Sequence, residues 1–356
     1  MKLLMITPTA DPFHPVHGSA YTWITRIAGQ VDRLHVISLN QKNVEPDSRV
    51  KFYSLDTRRG RLSKYLYLNS LLLKLVPQVD LIFTHMYPIF PILVWPYAFI
   101  FRKPLVAWRC HNGHISLLTR LGHFLVDRVV TASEESYRIR SPKVKVIGHG
   151  VDMERFTPRA GSSPGKGPAL VSVGRISPVK DYETLVEATN ILINEYGLEG
   201  TQLVVVGGQA SESEKNYFEK VKALVQERGL AEHVQLVGSV PFNGIVDYYH
   251  GAELFVSASQ TGSIDKAVLE AMACGNLPVV CNEAFFPFLG SYCPVLTFIK
   301  SDSPELAKKI YNLYLMPDND KARLRSFLRQ MVEGEHSLDT WLPRLISVFQ
   351  EVIGRR

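Results

Sequence analysis

The chain has 356 residues, 46% hydrophobic and 21% charged, which is more than one ordinary domain needs and enough for two hydrophobic cores. Its net charge of +6 is unevenly divided: residues 1–160 hold 22 Lys and Arg against 11 Asp and Glu, and the remainder 18 against 23. A basic half beside a mildly acidic one points to two domains with different partners, and four cysteines without C-x-x-C spacing, set in apolar runs or beside Gly and Pro, favour buried reduced thiols over a disulfide framework.

Residues 1–8, MKLLMITP, are too short for a signal peptide and read as a first strand. The longest apolar stretch, 86–101, contains three prolines and is shorter than a membrane-spanning helix requires, so a soluble, cytoplasmic protein is expected. Strand-length apolar runs at 3–7, 34–39, 79–84, 104–108, 127–131 and 144–147 alternate with helical patterns. That alternation predicts a parallel sheet with helices on both faces, whose ligands bind at the carboxyl ends of the strands.

The loop after the first strand runs to Gly18, and a helix starts at Ser19. Gly18 is either a point of close backbone approach to a ligand or a plain turn glycine, and the absence of G-x-G-x-x-G speaks against NAD. Arg58, Arg59, Arg61 and Lys64 open a helix over 61–76, with Leu62, Tyr65, Leu66, Leu72 and Leu75 on one side and Ser63, Ser70 and Lys74 on the other. Such a basic amphipathic helix docks on anionic lipid or is a solvated surface helix. No DNA- or RNA-reading motif is present, so nucleic acid is not expected as a partner. His111 and His114 follow the strand at 104–108 without a third metal ligand in suitable spacing; His111 is either a substrate contact or a structural histidine. The Pro-, Gly- and Ser-rich stretch 157–168 reads as a linker between domains 1–160 and 161–335, and 336–356 as a closing segment.

In the second half a strand at 169–174 leads into Gly174-Arg175-Ile176-Ser177-Pro178-Val179-Lys180-Asp181 and a helix over 182–196. Arg175 and Lys180 leave a strand's carboxyl end together: two surface charges, or two cations suited to an anionic leaving group. The strand at 202–208 ends in Gly207-Gly208, a close-approach turn, and a helix follows over 213–228. A strand at 234–238 precedes Val240, and a short helix covers 244–251. Residues 257–280, SASQTGSIDKAVLEAMACGNLPVV, then read strand, turn, helix, strand, with Ser263 as helix cap and the helix beginning at Ile264. A helix N-terminus reached by such a turn is an anion site. Glu270, an acid on an apolar helix face, can accept two ribose hydroxyls or bond local backbone. Helices close the chain at 304–316, 321–332 and 338–353, and Asp318-Asn319-Asp320 reads as a helix start with acidic first-turn residues rather than a metal site.

The Gly18 loop, His111, VKVIGHGVDMERFTP, VSVGRISPVKD, VVVGG, VQLVGSV and VLEAMACGNLPVV occur in an order that resembles the family 4 retaining glycosyltransferases of the GT-B fold. The resemblance implies α/β architecture: two Rossmann-like, doubly wound parallel-sheet domains facing across a cleft, acceptor on the first and nucleotide-sugar on the second. It also implies that the last helix, over 336–356, returns to the first domain. By the same resemblance Arg175 and Lys180 contact the diphosphate, Glu270 the ribose, Val240 the base and His111 the donor sugar, and Gly18 passes close to the phosphates. Gly207, Ser263, Asp265, Lys266 and Leu269 complete the donor site. The family's usual pair of glutamates would begin at position 262, which here is Gly262; Asp265 is the carboxylate one helical turn on.

The implied activity is metal-independent transfer of a hexose, with retention, from a nucleotide-diphosphate sugar to a glycan or lipid-linked sugar. No cofactor is implied beyond this co-substrate, for which a UDP-sugar is the first choice. The implied setting is cell-surface polysaccharide or lipopolysaccharide synthesis, in the cytoplasm or peripherally on the inner membrane face. The rival is a catalytically idle nucleotide-sugar-binding scaffold, which Gly262 favours.

Overall fold

A computed structural model describes residues 1–45, 47–55, 60–110, 115–158 and 167–355. The chain divides into two compact units. The first comprises Met1–Gly150, Pro241–Asn243 and Leu338–Arg356; the second comprises Val151–Val240 and Gly244–Ser337.

The first unit is built from β1 (Lys2–Thr9), α1 (Ser19–Ala28), β2 (Arg33–Asn40), β3 (Val50–Ser54), α2 (Arg61–Leu75), β4 (Leu81–His85), α3 (Ile89–Ile100), β5 (Leu105–Trp108), α4 (Leu117–Leu125), β6 (Arg128–Thr131) and β7 (Val144–Val146). Its seven strands pair in parallel in the order β3-β2-β1-β4-β5-β6-β7. The second unit holds β8 (Ala169–Val173), α5 (Tyr182–Asn194), β9 (Gln202–Val206), α6 (Glu212–Glu227), β10 (Val234–Gly238), α7 (Ile245–His250), β11 (Leu254–Ser257), α8 (Lys266–Ala273), β12 (Leu277–Val280), α9 (Phe286–Leu289), α10 (Cys293–Leu296), α11 (Ser303–Tyr314) and α12 (Asp318–His336). Its five parallel strands run β10-β9-β8-β11-β12. The last helix, α13 (Leu338–Ile353), belongs to the first unit.

Both sheets wind outward in two directions from their first strand, and their central strands are continuous apolar runs because helices cover both faces. In the first unit one face is closed by α1 and α13. Leu338, Trp341, Leu345, Phe349 and Val352 recur at helical spacing and are buried against Trp23, Phe83 and Trp108. The Trp23 and Trp341 rings lie 4.2 Å apart, and Trp23 Nε1 donates to the Gly150 carbonyl at 3.2 Å. Gly150 has φ +65°, and a Cβ there would come within 3.0 Å of both tryptophans, so only glycine fits. Arg128 on β6 pairs with Glu351 of α13 at 2.6 Å.

Several sequence expectations are revised. The edge strand β3 and the proline-containing α3 carry no distinct pattern in the sequence, since β3 is short and half-exposed and α3 is apolar nearly all round. The chain changes unit at Gly150/Val151, ten residues before the expected boundary: Val151 pairs with Ser337, and the Phe156 ring meets Tyr249, both in the second unit. The closing segment likewise begins at Leu338 rather than 336. Within the expected linker, 159–166 lie outside the described residues. The apolar side expected for α2 divides in two. Leu72 and Leu75 are buried together with Leu68 and Leu71, whereas Leu62, Tyr65 and Leu66 are exposed. At 100° per residue Leu62 and Leu66 lie roughly opposite Leu68, Leu71 and Leu75, while Tyr65 falls within about 20° of Leu72, two turns before it. Arg58 and Arg59 lie outside the described residues. All four cysteines are free thiols, Cys274 and Cys281 buried, Cys110 and Cys293 half-buried.

Candidate functional site

The five-stranded sheet reverses its winding between β8 and β11, and ligands of such sheets bind beyond the carboxyl ends of the strands at that point. After β8 the chain makes a single 3-10 turn, Pro178–Lys180. Asp181 then takes a left-handed conformation, φ 48°, and caps α5 by accepting from the Thr184 N–H. This places Lys180 beside the loop that leaves β11. Its ammonium donates to Asp265 Oδ2 at 2.8 Å and to Ser259 Oγ at 3.2 Å. The pair is largely enclosed, the two side chains being 16% and 19% exposed. Gly174 lies against the ammonium: a Cβ there would sit 3.7 Å from Nζ.

Asp265 occupies the N-cap position of α8 yet makes no side-chain cap, because its carboxylate turns to Lys180 instead. The expected Ser263 cap does not form. The helix begins at Lys266 rather than Ile264, Gly262 turns the chain at φ 65°, and the Ser263 carbonyl accepts from Asn282 Nδ2 at 2.6 Å. Lys266 is half-buried. Leu269, expected at the donor site, has its side chain buried in the core, which leaves only its backbone to offer a ligand.

Arg175 enters a separate ion pair. Its guanidinium Nη1 lies 3.2 Å from Glu214 Oε1; Arg175 is half-exposed and Glu214 nearly buried. The other Glu214 oxygen accepts from the Ala210 N–H at 2.6 Å, which fixes it at the start of α6. Gly207 stands where β9 abuts the end of β8: a Cβ would fall 1.7 Å from the Gly174 carbonyl oxygen. Val240, beyond β10, is half-buried.

Glu270 is buried on α8, and its carboxylate accepts from the Tyr249 hydroxyl at 3.0 Å. Its partner is therefore a side chain on α7 rather than the local backbone. Burial pushes its carboxyl up to about 7, opposed by Lys266, the Tyr249 hydrogen bond and Arg155. Tyr249 is raised well above the ordinary phenol range, first by burial and then by the Glu270 charge. Asn276 donates to the carbonyls of Tyr249 and Ala252 and so ties α7 to the end of α8.

In the first unit Gly18 is held by packing: its N–H donates to the His14 carbonyl at 2.8 Å, and a Cβ would come 2.5 Å from Phe242 Cβ. His111 and His114 lie outside the described residues. Asp318 and Asp320 form the acidic first turn of α12 after Pro317, and Asp320 pairs with Arg323 at 3.8 Å. Among the described residues no three His, Cys, Asp or Glu side chains cluster as a metal site. Sequence reasoning missed Ser259, Glu214 and Tyr249. Each acts through a partner 21 to 79 residues away, or 39 in the case of Arg175 and Glu214, and no local spacing reports it.

Residues 154–326 match the family model "Glycosyl transferases group 1". The chain is 27% identical over 167 residues to a D-inositol 3-phosphate glycosyltransferase from Corynebacterium jeikeium, covering 44% of this chain and 39% of that protein. It thus spans well under half the length of the first curated relatives it matches. A GDP-mannose:cellobiosyl-diphosphopolyprenol alpha-mannosyltransferase from Xanthomonas oryzae pv. oryzae is 23% identical over 340 residues, 86% of this chain and 87% of that one. Among solved structures, HepE from Anabaena in complex with UDP and glucose superposes with a TM-score of 0.74 at 18% identity, covering 98% of this chain and 99% of that one. Residues 154–326 thus match the glycosyl transferases group 1 model, in a chain whose fold is that of HepE.

Proposed function

We propose that the protein is a retaining glycosyltransferase that moves a hexose from a nucleotide-diphosphate sugar to a hydroxyl of a glycan or lipid-linked sugar. The observation that carries this reading is the Lys180 ammonium, held by Asp265 and Ser259 beside the start of α8 at the winding reversal of the second sheet. Cleaving a sugar–phosphate bond leaves a charged diphosphate and an oxocarbenium-like carbon, and preorganised positive potential at the leaving oxygens is the largest help a protein gives. Lys180 and the N-terminus of α8 supply that potential. Arg175, half-exposed, adds its planar fork when it leaves Glu214. The reading therefore asks for no divalent ion. The acceptor hydroxyl attacks from the leaving-group side and gives its proton to the departing phosphate oxygen, so the anomeric configuration is retained. His111 positions the donor sugar, Glu270 meets the ribose, and Val240 lies along the base.

A UDP-sugar is the first choice of donor, supported by the UDP bound to the HepE neighbour, while the Xanthomonas relative's name specifies GDP-mannose. Cell-surface polysaccharide or lipopolysaccharide assembly at the inner membrane face is the setting that fits a lipid-linked acceptor. Thermal-shift screening against UDP-, GDP- and ADP-sugars, followed by donor hydrolysis without acceptor, tests the reading. One nucleotide class should stabilise the protein and be slowly hydrolysed. Gly262, in place of an acid, favours the rival idle scaffold, which would bind the donor and leave it intact.

A further inference from the structure

Helices α2, α3 and α4 cover one face of the seven-stranded sheet. Their inner sides join a buried cluster that includes Leu68, Leu72, Phe90, Val94 and Ala98, and α4 packs on α3 where Gly122 meets Pro88 and Pro91. Their outer sides are apolar as well. On α2, Leu62, Tyr65, Leu66 and Leu73 form one stripe, each more than half exposed. On α3, Phe99 and Ile100 are 68% and 67% exposed. On α4, Leu117, Leu121 and Phe124 continue the face at 82%, 42% and 75%. These surfaces adjoin: Tyr97 of α3 hydrogen-bonds Asn69, which lies in the α2 stripe, and a groove of about 690 Å³ between Trp95, Phe99, Ile100 and Leu125 joins α3 to α4. Isolated exposed leucines are ordinary on a soluble protein, but a face spread over three neighbouring helices calls for a partner.

The charge pattern identifies that partner. Between Gly60 and Val126 the sequence carries seven Lys and Arg and a single acid, Asp80; the next residue, Asp127, lines the groove, where it accepts from the Leu105 N–H at 2.8 Å. Asp80 lies off these helices and accepts from the Lys2 N–H at the start of β1. Arg61 and Lys64 stand at one end of the α2 stripe, Arg102 and Lys103 border the groove, and Arg120 is exposed on α4. A second copy docking through the same face would set these cations against their own counterparts. Among the described residues no helix is long and apolar enough to cross a membrane, so the apolar side chains can enter only the outer part of a bilayer. We propose that the outer face of α2, α3 and α4 seats on an anionic phospholipid bilayer, with its leucines and phenylalanines among the acyl chains and its Lys and Arg at the lipid phosphates. As a route to a lipid-linked acceptor this rests on the transferase reading; as a lipid-binding surface it stands on these residues alone.

The test is flotation of the full chain with phosphatidylcholine vesicles, alone or with about a third phosphatidylglycerol. Wild type should float with the anionic vesicles and much less with the neutral ones. The double substitution Leu121→Glu/Phe124→Glu should lower the bound fraction at least tenfold, as should Arg102→Glu/Lys103→Glu, while Ile299→Glu in the second unit should leave it unchanged. Leu66→Glu on α2 serves as a second apolar probe should a melt show that the α4 pair unfolds. Failure of wild type to bind anionic vesicles overturns the proposal, as does full binding by folded Leu121→Glu/Phe124→Glu. So does a wild-type dimer that this variant converts to monomer, since a protein would then own the face. Nucleotide-sugar thermal shifts, measured in parallel, distinguish failure of docking from failure of the transferase reading.

Discussion

The Lys180–Asp265 pair allows a test that separates a charge used in chemistry from one used to hold it. At 2.8 Å and an effective dielectric near 20, the gross attraction is about 6 kcal/mol. Most of this is offset by desolvating and ordering two side chains that keep 16% and 19% exposure, leaving a net of about 1–2 kcal/mol. Lys180→Ala and Asp265→Ala should each lower stability by that amount, and the double variant by little more than either alone. Turnover should divide differently. In the proposed mechanism, losing the ammonium removes a donor from the leaving phosphate and should cost about a hundredfold in kcat. Losing Asp265 leaves the ammonium present but loosely held, still within reach of Ser259, and should cost about tenfold. If Asp265 acts only through Lys180, the double variant should be no slower than Lys180→Ala. The assay is nucleotide-sugar hydrolysis, with urea melts on the same four proteins. Unchanged turnover in Lys180→Ala refutes the leaving-group role. A double variant slower by the full product of the single losses refutes the positioning role and gives Asp265 an independent contact with the donor.

Glu270 predicts a pH effect. Its carboxyl stands at about 7 when folded against a model value of 4.5, so folding favours the protonated form; the associated stability is full below about 4.5 and is lost as pH rises through 7. Glu270→Gln keeps an acceptor for Tyr249, and its stability relative to wild type should rise by roughly 3 kcal/mol between pH 4 and pH 8; parallel pH curves in denaturant melts would contradict the assignment. Gly207→Ala forces a Cβ to 1.7 Å from the Gly174 carbonyl and should cost about 3 kcal/mol or more while weakening nucleotide binding; Gly244→Ala, with open space around it, is the neutral control in the same melts. Trp341→Ala should cost about 3–5 kcal/mol, because it empties the stack against Trp23 and Trp108, and a loss under about 1 kcal/mol would show that α13 contributes little to the first unit.

Much of the fold is legible because parallel strands buried on both faces are continuous apolar runs. Val234–Gly238 and Leu338–Ile353 coincide with their sequence readings, and most other elements shift by one to three residues at their ends. What escapes has identifiable causes. β3 is an edge strand with a half-exposed pattern, and its apolar content is too low to stand out. α3 is apolar on all sides, so periodicity cannot orient it, and its prolines argue against the helix it nevertheless forms. Pro91 is tolerated because it sits in the first turn of α3, whose N–H groups have no intrahelical partner, and Pro96, inside the helix, lies exposed on the outer side. In α2 the apolar residues are numerous enough to supply two faces, and composition cannot say which one the sheet takes.

The site resists sequence reading for a different reason. Lys180 and Asp265 are separated by 85 residues and are neighbours only because β11 pairs directly with β8, skipping two strands of the winding order. Local rules then mislead: a serine before a helix and an aspartate at its first turn look like a cap and a dipole partner, and both are preempted. Once the Lys180 ammonium arrives, the strongest available interaction for the Asp265 carboxylate is the ion pair, and capping, worth about 1 kcal/mol, loses to it. The start of α8 is thereby left without a cap from its own N-cap side chain, beside a cation already fixed in place. An acid at position 262 would lie on the turn before the helix, where Gly262 turns the chain at φ 65°; the carboxylate at 265 instead reaches the lysine and forms the brace that orients the cation.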